Sequence, residues 1–107
     1  MDIVFKTYKI SKKLPDDEKF GLVSQINRCA VSIPSNIAEG SSRNSQKEYK
    51  HFLEIALGSA FELETQFLII KELYLNDDHN LLNILSSLVE EQKMINTLIE
   101  KIKSANS

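Results

Sequence analysis

Three lysine and arginine positions, Arg43, Lys47 and Lys50, cluster where a helix is expected to begin. Together with the free N–H groups of a helix terminus they form the kind of site that receives a phosphate, and Asn44 and Ser45 lie nearby to orient it. The alternative is a solvated helix start. Gln25, Arg28, Ser32, Asn36 and Glu39 form a polar stripe along another helix. This stripe either packs against Glu62 or Glu64 through charge-assisted hydrogen bonds or lines a groove for a ligand or nucleic acid. Cys29 reads as a small core residue or as a thiol activated by Arg28.

Catalysis finds little support among these residues. Glu62 and Glu64 are two apart and point in different directions on a helix, and neither has a histidine three residues on, as a di-iron bundle needs. His51 and His79 fall at outward or turn positions. The chain has no glycine-rich phosphate loop, nucleophile elbow or Cys/His cluster with metal spacing. No catalytic residue, cofactor or metal is expected, and the chain reads as a non-enzyme.

With 107 residues, 42% of them hydrophobic and 26% charged, the chain is read as one domain, residues 1–107, burying roughly two-thirds of its unfolded surface. Three glycines and two prolines leave little room for a turn-rich β fold. The single cysteine excludes an internal disulfide. No apolar run approaches the ~20 residues of a membrane span, and the N-terminus lacks the apolar core of a signal peptide, so a cytoplasmic location is expected. The net charge of -2 is divided unevenly: residues 1–53 carry a balance of +3 and residues 54–107 a balance of -5.

Four helical segments must position these residues. The first runs from Asp2 to about Lys13, with Val4, Tyr8 and Phe5 inward and Lys6, Lys9 and Lys13 outward, and it ends at Leu14-Pro15. Pro15 and the acids Asp16, Asp17 and Glu18 read as the start of the second. That segment buries Leu22, Ile26, Ala30, Ile33 and Ile37; Pro34 is expected to kink it and Gly40 to stop it through a positive φ. Cys29 continues its apolar face.

Ser45-Gln46-Lys47-Glu48 has capping-box spacing and opens the third segment. Its seam of Tyr49, Leu53, Ala56, Ala60, Leu63, Phe67, Ile70 and Tyr74 has heptad-type steps. Ala56, Gly58, Ser59 and Ala60 are small enough to admit a neighbouring helix. Ile55, Phe61, Leu68 and Ile69 lie off the seam, and a helix apolar nearly all round is buried on more than one side. Self-association is the simplest partner for that surface. After the turn at residues 76–80, the fourth segment is expected to run to about Lys103. Leu81, Leu82, Leu85, Leu88, Val89, Ile95, Leu98, Ile99 and Ile102 point inward, and Ser104 to Ser107 fray. Short connections favour an all-α, antiparallel, up-and-down four-helix bundle.

The strings Phe20-Gly21-Leu22, Gln25-Ile26, Val31-Ser32-Ile33-Pro34-Ser35-Asn36-Ile37-Ala38-Glu39-Gly40, Ile55-Ala56-Leu57-Gly58-Ser59 and Glu62-Leu63-Glu64 are distinctive. They resemble the four-helix-bundle proteins encoded in intervening sequences of bacterial 23S ribosomal RNA genes, over nearly the whole chain. The resemblance implies an antiparallel bundle assembled as a homopentameric ring. Arg28, Pro34, Asn36, Glu39, Gly40 and Glu62 are read from the sequence as residues of the motif and of assembly. A similar fold is the accessory protein of diversity-generating retroelements, which works with a reverse transcriptase and nucleic acid. Members usually carry more helix upstream of the position of Val4, and that accessory protein is basic whereas this chain is mildly acidic. The function expected is an oligomeric interaction module for a partner protein, RNA or DNA, or alternatively a purely self-assembling structural protein.

Overall fold

The Ser45 hydroxyl accepts a hydrogen bond from the Glu48 N–H at 3.1 Å, and Asp78 Oδ1 accepts one from Leu81 N–H at 3.0 Å. These caps satisfy N–H groups that a helix start leaves without internal partners, and they open the two longest helices of the computed structural model, which describes residues 2–105. Its helices are α1 (Asp2–Ser11), α2 (Leu22–Ser41), α3 (Gln46–Leu73) and α4 (His79–Ala105). No strand occurs among the described residues. Each helix packs against its chain neighbours, and α4 closes onto α1. The molecule is an all-α, antiparallel, up-and-down four-helix bundle, 47 Å long.

The seam of α3 supplies the centre of the core: Leu53, Ala56, Ala60, Leu63, Phe67 and Ile70 are fully buried. Tyr49 is half-buried and Tyr74, at the helix end, is exposed. α2 contributes Ile26, Ala30 and Ile33, with Leu22 and Ile37 packed at its margin. Ala56 and Ala60 serve this core, whereas Gly58 faces open space.

Several expectations are corrected. In α1 the buried face is Ile3, Val4, Thr7 and Ile10, while Phe5 and Tyr8 are 61% and 44% exposed; a threonine at a core position hid the true face. In α4, Ile84 and Gln92 are buried, and Leu82 and Val89 are exposed. Gln92 is tolerated there because its amide donates to Glu64 at 3.1 Å and to the Ala60 carbonyl at 3.5 Å. The acids after Pro15 form only a 3₁₀ turn, Asp16–Glu18, and α2 starts after Gly21. Phe20, 89% exposed, gives this segment no apolar anchor from which a longer helix would gain.

α2 continues through Pro34 to Ser41. Gly40 does not stop it by a positive φ, since no glycine has one. The helix ends instead on hydroxyls: Ser41 donates to the Ala38 carbonyl at 2.9 Å and Ser42 to the Glu39 carbonyl at 2.8 Å. Gly40 is buried against α3, where a Cβ would lie 2.8 Å from Phe52 Cβ. At the C-terminus, Ser104 and Ala105 belong to α4, and Asn106 and Ser107 lie outside the described residues.

Candidate functional site

Polar side chains line the contact between α2 and α3. The Gln66 amide donates to Gln25 Oε1 at 3.3 Å, the Cys29 thiol donates to Glu62 Oε2 at 3.1 Å, and the Ser32 and Ser59 hydroxyls meet at 2.9 Å. Asn36 Nδ2 closes the row by donating to Ser32 Oγ and to its carbonyl, at 2.9 and 2.8 Å. Steps of four, three and four on α2 face steps of three and four on α3, so antiparallel packing brings the two stripes into register. Glu62 belongs to this seam; Glu64 turns to α4.

Arg28 and Glu39 lie off the seam. The guanidinium of Arg28 points outward and donates to Ser24 Oγ at 3.1 Å. Glu39 reaches past the end of its helix to Arg43, at 2.6 Å. Cys29 takes the seam position adjacent to Arg28, and its chemistry is the reverse of activation. Burial first, and then the Glu62 carboxylate that accepts its proton, together push the thiol up to about 12. The thiol therefore stays protonated at neutral pH, and the thiolate is the form that reacts. Cys29 is a small core residue and not an activated thiol, because it is buried and its thiol faces the Glu62 carboxylate, whereas Arg28 points outward.

The corner between α2 and α3 holds the cationic cluster. Arg43, Ser45, Lys47, Glu48, His51 and Phe52 line an open cleft of about 540 Å³. Arg43 stands over the Phe52 ring at 5.0 Å while paired with Glu39. Lys50 is paired with Glu54 at 3.6 Å and lies outside the cleft. Lys47 is exposed and has no acidic partner within 4 Å among the described residues. Two of the three cations are thus partly neutralised by glutamates four residues away, Arg43 by Glu39 and Lys50 by Glu54.

A third feature is apolar. On the outer face of α3, Phe61 and Leu68 are 50% and 48% exposed, and on α4 Leu82 and Val89 are 47% and 37% exposed. Leu57, Phe61 and Val89 wall an open cleft of about 360 Å³ there. On the opposite flank of α3, Ile55 and Ile69 are also exposed.

The sequence pattern of the 23S rRNA-intervening sequence protein family matches residues 1–97. The chain belongs to that family. Among solved structures, a Bacteroides thetaiotaomicron protein of unknown function from the S23 ribosomal protein family superposes with a TM-score of 0.82. It is 24% identical, and the match covers 92% of each chain, which establishes a shared fold. No curated protein matches. Within this family fold, the strings from Gln25 to Gly40 and from Ile55 to Glu64 lie on α2 and α3, whose contact holds the polar seam and the close approach at Gly40, while Phe20-Gly21-Leu22 stands at the start of α2. Ser59 and Gln66, which sequence reasoning did not assign to the seam, were signalled by their three- and four-residue spacing from Glu62.

Proposed function

We propose that the chain is a non-enzymatic, self-assembling interaction module of the cytoplasm, in which the outer face of α3 and α4 joins copies. The observation that carries this reading is the exposure of Phe61 and Leu68 on α3 and of Leu82 and Val89 on α4, with Phe61 and Val89 lining one cleft. Each pair repeats after seven residues, the spacing that lets side chains interlock with a second pair of helices. Large apolar side chains side by side on neighbouring helices mark an interaction surface more often than a solvated one. The number of copies implied by the resemblance is five.

Sedimentation velocity at micromolar concentration tests this. Wild-type protein is expected at a multiple of 12.2 kDa, and the Phe61→Glu, Val89→Glu double variant at a single copy with unchanged helical circular dichroism. A wild-type protein running as a single copy would sink the proposal.

A second reading, nucleic acid bound at the α2–α3 corner, is favoured by the unpaired Lys47 beside Arg43 at the capped start of α3. It is opposed by the ion pairs of Arg43 and Lys50 and by the acidic balance of the chain. Anisotropy with short RNA and DNA duplexes and single strands tests it. If the corner binds phosphates, Arg43→Ala with Lys47→Ala weakens binding uniformly and reduces the salt slope by about one per lost contact. An unchanged slope removes the corner from consideration.

A further inference from the structure

Opposite the buried face of α1, made of Ile3, Val4, Thr7 and Ile10, stand Phe5, Tyr8, Lys9 and Lys12, all exposed. Steps of three, one and three hold these four side chains within an arc of about 100° on an α-helix. Lys12 follows the last residue of α1, yet its N–H still donates to the Tyr8 carbonyl at 3.3 Å, so the stripe is continuous. α1 lies against α2 and α4 and not against α3. The stripe is therefore on the far side of the bundle from Phe61 and Leu68 and is not part of the surface proposed to join copies.

Ring and charge repeat along this stripe. Lys6 is neutralised by Asp2 at 3.0 Å and Lys13 by Asp78 at 2.7 Å. Lys9 and Lys12 have no carboxylate within 4 Å among the described residues. Neither the Phe5 nor the Tyr8 ring is stacked on another ring or covered by a cation among those residues. Each ring has one of these lysines a helical turn further on, Phe5 with Lys9 and Tyr8 with Lys12. The unit of ring and cation thus occurs twice, the second displaced by three residues, roughly 4.5 Å along the axis.

We propose that this stripe binds single-stranded nucleic acid, with one base stacked on each of Phe5 and Tyr8 and the neighbouring phosphates against Lys9 and Lys12. A strand carries the complementary groups, a planar base and a phosphate, at every step, and stacking on an aromatic ring accepts any base. A duplex keeps its bases stacked inside and offers the rings nothing. A membrane would have to cover the polar flanks of the stripe as well, where Ser11 donates to Asn27 of α2 at 2.6 Å and Lys6 to Ser87 of α4 at 3.0 Å. The contact is short, about two nucleotides for two rings. It stops before Asp16 and Asp17, exposed acids in the turn beyond Lys12.

The test is fluorescence anisotropy of the full chain with a dye-labelled uridine strand of about ten nucleotides, an abasic strand of the same length and charge, and a duplex of that length. The uridine strand is expected to saturate at micromolar concentration in low salt, and the abasic strand and the duplex to bind at least tenfold more weakly. Phe5→Leu with Tyr8→Leu keeps the apolar bulk and removes the stacking faces. It is expected to weaken the uridine strand about tenfold with unchanged circular dichroism. Lys9→Ala with Lys12→Ala is expected to reduce the salt slope by about 0.7 for each lost phosphate contact. Arg43→Ala with Lys47→Ala is expected to change neither quantity. No saturation by millimolar strand, equal binding of the abasic strand or the duplex, or indifference to either α1 variant overturns the proposal. Loss of binding confined to the Arg43→Ala, Lys47→Ala variant also overturns it, since the strand would then sit at the α2–α3 corner. A fall in oligomer mass caused by the leucine variant would place the rings against a second copy, and capture by phosphatidylserine vesicles without binding of the strand would assign the face to a lipid surface; either overturns it.

Discussion

A methyl group on Gly40 would stand 2.8 Å from Phe52 Cβ and 3.0 Å from the Tyr49 ring. In an open helix, alanine in place of glycine gains about 1 kcal/mol. Here the opposing atom is a Cβ fixed to the backbone of α3, so the helices must separate, and overpacking of this kind costs about 1–3 kcal/mol. The clash outweighs the propensity. Gly40→Ala is expected to lower the melting temperature by several degrees, measurable by circular dichroism, and a rise would show that α2 and α3 separate freely. The position was legible in the sequence and its role was not. A glycine at a helix end suits either a positive φ or a close approach, and only the packing of α3 decides between them. Cys29 followed the same course. Its place on the apolar face was evident, but the carboxylate that holds its proton comes from thirty-three residues away.

At the scale of elements, Asp78 does two things. It caps α4 through Leu81 and accepts from Lys13 of the α1–α2 connection at 2.7 Å. The Lys13 ammonium, with help from the cap, holds its carboxyl below the ordinary 3.8. A carboxylate depressed in the folded state stabilises above its unfolded value, and that stability disappears as pH falls through the folded value. Asp78→Ala is expected to lose about 1–2 kcal/mol at neutral pH, the sum of a cap and a partly exposed pair. The gap between variant and wild type should close below pH 4; a gap unchanged at pH 2 would assign the effect to something other than the charge. The four helices, the α3 seam and the Ser45 cap were all readable because periodicity and capping are local. The face of α1 and the inward Gln92 were not, since a polar residue can be buried where a partner from another helix meets it.

For the whole molecule, the division of charge into a basic first half and an acidic second half matters at few places: among the described residues the ion pairs that join them are Lys13–Asp78 and, across the boundary within α3, Lys50–Glu54. The apolar outer surface of α3 matters more, because a four-helix monomer leaves it without a partner, and Gly58 provides a probe of the proposed contact between copies. In the single chain a Cβ at Gly58 meets nothing within 4 Å. Gly58→Ala should therefore stabilise a monomer by about 0.5–1 kcal/mol through lower unfolded-state entropy alone. Phe61 lies one helical turn away, so a second copy seated on Phe61 and Val89 approaches this glycine. The two situations give opposite signs. In the monomeric Phe61→Glu, Val89→Glu background, Gly58→Ala is expected to raise the melting temperature. In the wild-type background it is expected to shift the sedimentation equilibrium toward single copies, because the added methyl group holds the neighbouring helix away. A stabilisation of equal size in both backgrounds, with the association unchanged, would place the contact between copies elsewhere on the bundle.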